Sequence, residues 1–178
     1  MTDLGNARDA IRDITRERAL GQQIHVFANT ISGHYYRRSE VVLGISLAEW
    51  RVLRSVLTNP GTSQAEIAVA EGLNVMNVSR AVAGLRRKRL VEAVTDPDDG
   101  RRSLLSATEL GIEIGADMTP REEMVYREVF AGLSEAELET LDELLSRVTD
   151  RLRSLELPDP PEPRKNWAEI LRGMDDND

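Results

Sequence analysis

Four times along the chain a hydroxyl residue is followed three positions later by glutamate: Ser46–Glu49, Ser63–Glu66, Thr119–Glu122 and Ser134–Glu137. In such a pair the hydroxyl caps an amide of the first helical turn and the carboxylate reaches back to the cap, so each pair marks a helix start. Pro120 follows Thr119 at the first helical position, where its missing N–H is harmless. A chain punctuated in this way is built of helices, and those opened at Ser46 and Ser63 must be short.

The apolar residues agree. Leu20, Ile24, Phe27, Ile31 and Tyr35 recur at three- and four-residue steps, and the pattern extends back through Ile14 and Ile11 towards Ala7. After Ser46, Leu47, Trp50, Leu53 and Leu57 face inward on a helix stopped by Asn59-Pro60-Gly61. The helix after Ser63 ends near Gly72. Asn74 caps a third, running to about Arg89, with Val75, Val78, Val82 and Leu85 as its apolar positions. Leu90 to Thr95 and Arg101 to Ala107 flank Asp96-Pro97-Asp98-Asp99-Gly100 and read as a β-hairpin, after which Thr108 returns the chain to helix. Leu138, Leu141, Leu145, Val148, Leu152 and Leu155 form the strongest periodic stripe, which fits an intramolecular core or a dimer seam. Residues 158–163 (PDPPEP) form a stiff, extended linker to a short tail carrying Trp167, Ile170 and Leu171.

Composition removes whole classes of function. The 178 residues contain no cysteine, which excludes disulfides, thiolate metal sites and thiol redox sensing. No apolar run is long enough to span a bilayer and the charged N-terminus has no signal core, so the expected location is cytoplasmic. His25 and His34 are nine residues apart, on offset faces of one helix, and no metal site or other cofactor is expected of them. With no glycine-rich phosphate loop and no catalytic constellation, the chain is not read as an enzyme.

The net charge of −8 argues against indiscriminate coating of nucleic acid, yet the cations are not spread evenly. From Asn74 to Arg89 the charged residues are Arg80, Arg86, Arg87, Lys88 and Arg89, with no acid among them, and Arg101 and Arg102 follow on the hairpin. Three helices and a hairpin in this order are the layout of a winged helix-turn-helix, whose third helix enters the major groove. Met76, Asn77, Ser79, Arg80 and Ala83 lie on the outward face. Asn and Arg pair with adenine and guanine edges, while Ser79, Arg86 and Arg87 are better placed for phosphates. Arg101 at the hairpin tip suits a narrow minor groove, with Asp96, Asp98 and Asp99 holding the hairpin's shape.

These residues resemble a known family. DPDDGRRSLLSATELG is similar to the wing signature of the MarR family of bacterial transcriptional regulators, LAEWRVLRSVL to its second helix, and VSRAVAGLRRKRLV to its recognition helix. The resemblance spans roughly residues 20 to 155. It implies a mainly α fold with a small β-hairpin wing, a winged helix-turn-helix flanked by N- and C-terminal dimerisation helices. The expected domains are 1–40 (dimerisation), 41–108 (DNA binding), 109–157 (dimerisation) and 158–178 (Pro-rich tail). It further implies an obligate homodimer, double-stranded DNA with a palindromic operator as partner, and a small-molecule effector that relieves repression. Carried over, Arg101 matches the wing-tip arginine, Asp99 its supporting acid, and Met76, Asn77, Ser79 and Arg80 the base-reading stretch, with Asn74, Arg86, Arg87 and Arg102 completing the DNA-binding set. Where the family has glycine just after the recognition helix, this chain has Arg89.

Two readings stay open on the residues alone. Trp50 fits a core position or, with His34, Tyr35 and Arg54, the lining of an effector pocket. A winged-helix module that binds protein instead of DNA is the alternative function, against which the clustered cations weigh.

Overall fold

The computed structural model describes residues 15–96, 103–156 and 166, the side chains of residues 34–39 and 42 excepted. Helix α1 (Arg16–Leu43) starts at Thr15, whose hydroxyl accepts from the Arg18 amide at 3.3 Å, and ends at Gly44 in the left-handed conformation. Then come α2 (Leu47–Thr58), β1 (Thr62–Ser63), α3 (Gln64–Glu71), α4 (Val75–Arg87), β2 (Val91–Thr95), β3 (Ser103–Ala107), α5 (Glu109–Phe130) and α6 (Glu135–Arg153). The capping pairs at Ser46 and Ser63 are both formed: each serine amide donates to the glutamate carboxylate at 2.8 Å, and each glutamate amide donates to the serine hydroxyl at 3.3 Å.

Helix α2 is the centre. The periodicity marks Leu47, Trp50, Leu53 and Leu57 as inward, but the deepest residues are Trp50, Val52, Leu53 and Val56, all at 1 % exposure or less, with Leu47 and Leu57 half-buried. A helix buried on two sides carries apolar residues beyond one stripe. Ile67 and Ala68 of α3, Val78, Ala81, Val82 and Leu85 of α4, Leu90, Val91, Leu105 and Met118 close the same core. Val75, expected inward, is instead 55 % exposed.

The hairpin is joined by a strand that the periodicity did not mark. β1 pairs antiparallel with β3 (Thr62↔Leu105), and β2 pairs with β3 from Val91↔Ala107 to Thr95↔Ser103, giving the order β1-β3-β2. The turn residues 97–102 lie outside the described residues.

Thr119 does not begin a helix. α5 runs unbroken through Pro120, because Met118 and Glu122, on either side of it, are both buried. Tertiary packing on both flanks outweighs the one backbone bond the proline removes. The start of α5 is set instead at Thr108, whose hydroxyl accepts from the Gly111 amide at 3.1 Å and whose amide donates to the Leu90 carbonyl at 3.1 Å.

The chain divides into two compact units, Met1–Val129 and Phe130–Asp178. In the second, α6 opens at Ser134, whose amide donates to Glu137 at 2.8 Å, and carries Leu144, Leu145, Val148 and Leu152 at 43–63 % exposure. In the first, α1 carries Leu20, Ile24 and Phe27 at 44–52 %. Among the described residues no helix is long and apolar enough to cross a membrane.

Gly111 is the closest approach of α5 to the hairpin base: a Cβ there would overlap the Leu90 carbonyl oxygen, a backbone atom that cannot step aside. Gly111→Ala is therefore expected to destabilise the fold by about 1–3 kcal/mol, as overpacking does, despite alanine's better helix propensity. Thermal unfolding checks this, and an unchanged or raised midpoint contradicts it.

Candidate nucleic-acid interface

Helix α4 owes its position to one face and its surface chemistry to the other. Asn74 caps it, its Oδ1 accepting from the Asn77 amide at 2.8 Å, so this side chain has a structural task whatever else it touches. Val78, Ala81, Val82 and Leu85 are buried, none more than 5 % exposed. At 100° per residue, the line directly opposite is Met76, Arg80, Ala83 and Arg87, with Asn77 and Ser79 beside it. All six are exposed, Met76 at 66 %, and so are Arg86 and Arg89. The structure thus brings Met76, Asn77, Ser79, Arg80, Arg86 and Arg87 onto one open surface. Arg101, Arg102 and Asp99 lie outside the described residues.

A buried carboxylate fixes the orientation of that surface, and sequence reasoning missed it. Glu49 is 8 % exposed, and its Oε2 accepts from Lys88 Nζ at 2.6 Å and from the Ser46 amide at 2.8 Å. Capping box and ion pair therefore share one oxygen, locking the start of α2 to the end of α4. The α4 backbone passes so close that a Cβ on Gly84 would overlap Glu49 Oε1. The available signal was Gly84 itself, a glycine inside an otherwise strong helix, which marks a close approach.

A second ion-pair network reaches from α2 to α3 and α5. Arg54 donates to Glu122 Oε1 at 2.9 Å and to Glu71 Oε2 at 3.2 Å, and Arg51 Nε donates to the same Glu71 oxygen at 3.1 Å. Arg54 is thus engaged with two carboxylates, and Trp50 is sealed in the core. An apolar hollow of about 680 Å³ is lined by neither: Phe27, Thr30 and Ile31 of α1 face Met124, Val125, Glu128 and Val129 of α5. The His34 and Tyr35 side chains lie outside the described residues. His25 is exposed on α1, its Nδ1 3.1 Å from the Gly21 carbonyl oxygen.

Residues 43–102, which hold α2, α3, α4 and β2, match the sequence model of the MarR family. Over that stretch the chain is similar to the MarR family. It is 26 % identical over 128 residues to the transcriptional repressor IacR of Pseudomonas putida, covering 70 % of this chain and 77 % of that one. Its fold is similar to that of a MarR/EmrR family regulator from Acinetobacter sp. ADP1, with a TM-score of 0.73 at 24 % identity over 80 % of this chain and 100 % of the other. It is also similar to PcaV of Streptomyces coelicolor, solved in complex with its natural ligand, with a TM-score of 0.61 at 24 % identity over 76 % and 93 % of the two chains.

Arg89 closes the end of α4 in a conformation that favours glycine. α4 ends in a Schellman motif: the Leu90 amide donates to the Leu85 carbonyl at 2.9 Å and the Arg89 amide to Arg86 at 3.0 Å. This geometry requires a left-handed residue, and Arg89 adopts φ 59°. The Thr108 hydroxyl clamps it by donating to the Arg89 carbonyl at 2.7 Å. A side chain in this region costs roughly 1–2 kcal/mol. Arg89→Gly should raise stability by about 1 kcal/mol and the melting midpoint by about 2–4 °C; calorimetry that finds a lower midpoint contradicts the strain.

Burial pushes the Glu49 carboxyl up, but the Lys88 hydrogen bond and the Ser46 amide together outweigh it and hold it below the usual glutamate value. With the folded value depressed, the stabilisation is present above the unfolded value and lost as pH falls through the folded one. The window therefore opens below about pH 4.3. Glu49→Gln should be less stable than the parent at neutral pH, with the gap closing in that acid window. A gap that is constant with pH contradicts the assignment.

Proposed function

We propose that this chain is a sequence-specific DNA-binding transcriptional regulator of the MarR family that acts as a homodimer on a palindromic operator and is released by a small-molecule effector. One observation carries the reading. A chain with a net charge of −8 exposes Arg80, Arg86 and Arg87 on one helix and Arg89 just past its end, with no acid between Val75 and Arg89, and Arg80 and Arg87 lie directly opposite the buried edge. A local field of that sign attracts phosphates whatever the total charge.

In this reading α4 lies in the major groove. Met76, Asn77 and Arg80 meet base edges, and Ser79, Arg86 and Arg87 meet phosphates. Asn74 holds the helix start. Arg101 and Arg102 on the wing reach the adjacent minor groove, with Asp99 supporting them. The exposed apolar edges of α1 and α6 are supplied with a cover by a second copy, and the two recognition helices then sit about 34–36 Å apart, one turn of DNA. The hollow between α1 and α5, apolar but for Glu128 and Thr30, supports an effector site. That PcaV was solved with its natural ligand and that IacR is named a repressor support ligand-relieved repression here.

Selection of bound sequences from random duplex DNA by the purified protein, at two salt concentrations, tests the proposal. Enrichment of a palindrome with half-sites about one turn apart is expected, and weak, unselective, salt-sensitive binding contradicts it. On the recovered duplex, Arg80→Ala should cost about 1–3 kcal/mol of discrimination at one base pair per half-site. Arg87→Ala should leave base preference unchanged and flatten the slope of log affinity against log salt by about 2 per dimer, one phosphate per protomer.

A further inference from the structure

The centre line of the exposed α4 face alternates in chemistry. Met76, Arg80, Ala83 and Arg87 succeed one another as apolar, cationic, apolar, cationic, directly opposite the buried Val78, Ala81, Val82 and Leu85. Met76 is 66 % exposed in the first turn of a helix whose charged residues are all basic, and nothing in the fold needs a thioether there. Helix rise puts Met76 and Ala83 about 10 Å apart along the axis, with Arg80 between them. Base pairs stacked at 3.4 Å make that about three steps. No carboxylate stands between Val75 and Arg89 to accept from a cytosine amino group.

In the major groove an apolar side chain has one partner of its own kind, the C5 methyl group of thymine. Arg fits guanine O6 and N7, and Asn fits adenine. A methionine is long, unbranched and polarizable, suited to settle over a methyl group, and an alanine does so where the helix lies close. Resting on the proposed function, we infer that Met76 and Ala83 are specificity-determining residues: each half-site presents thymine methyl groups to them, on either side of a guanine read by Arg80. The occupant of the apolar spots is the floor of the DNA major groove. Arg80 and Arg87 on the same line, with Arg86 beside them, supply the charge complementarity that a protein partner of this acidic chain would not require.

The test uses the full-length protein and the duplex recovered by selection, with thymines replaced by deoxyuridine one position at a time. This exchange removes the methyl group and leaves base pairing intact. At the position facing Met76, replacement in both half-sites should weaken wild-type binding on the order of tenfold, the value of one buried methyl group per half-site. Met76→Ala, at an exposed site that leaves folding intact, should bind thymine and uracil duplexes equally there while keeping the guanine preference. Ala83→Ser should blunt the methyl effect at the second position only. A wild-type protein indifferent to uracil at every position overturns the inference, as does a Met76→Ala protein that keeps the full thymine preference, or a half-site with no thymine within three base pairs of the guanine. Enrichment of no sequence at all contradicts the proposed function, and the inference falls with it. The first three outcomes leave that function standing.

Discussion

Helix α4 presses its apolar edge against α2, and the rest of the molecule is arranged by that contact. Val78, Ala81, Val82 and Leu85 bury one side of α4 in the core built on Trp50, Val52, Leu53 and Val56. A helix committed on one side has its opposite side decided, since residues three and four apart share a face. The chemistry displayed to a ligand thus follows from where the valines and leucine fall. Gly84 and Glu49 then fix rotation and depth: the missing side chain lets a buried carboxylate close on Lys88, so α4 cannot slide along α2 without leaving Glu49 buried and unpaired.

Much of this was legible in the sequence, for a definite reason. The capping pairs at Ser46 and Ser63 and the Asn74 cap are local: each closes within three residues, so no distant contact is needed to read it. The outward face of α4 was readable because a 3.6-residue period leaves no choice once Val78, Val82 and Leu85 are inside. Other features were not local. Strand β1 is two residues long, too short for any period, and exists because β3 offers it an edge. Val52 and Val56 are buried because α2 is enclosed from two sides, which a single-stripe reading does not anticipate. Thr119–Glu122 matches a capping box, yet Met118 and Glu122 have tertiary partners that carry the helix through Pro120. The Glu49–Lys88 and Arg54–Glu122 pairs join residues 39 and 68 positions apart, with no sequence signature for either.

Arg54 ties three helices of the unit Met1–Val129 together. Its guanidinium holds Glu71 at the end of α3 and Glu122 in α5, and two positions beyond Glu122 the same helix begins to line the apolar hollow with Met124. A molecule that moved α5 from within the hollow would act on a rigid helix already tied to the reading unit. The left-handed Arg89 sits at the opposite boundary, where α4 hands over to the wing. There Thr108 holds both the Arg89 and Leu90 carbonyls, and Gly111 lets α5 approach. The reading helix is thus gripped at its start by Asn74, along its length by the core, and at its end by Lys88 and Thr108.

The central claim is that the exposed side of α4 meets DNA while its buried side does not move. The five methionines, Met1, Met76, Met118, Met124 and Met174, provide the means, since one lies on that face and Met118 lies in the core at 1 % exposure. Methyl NMR of methionine-labelled protein, titrated with the duplex recovered by selection, tests the claim most directly. The Met76 signal should shift and broaden while Met118 stays in place. A Met76 signal unchanged at saturating duplex would contradict the account.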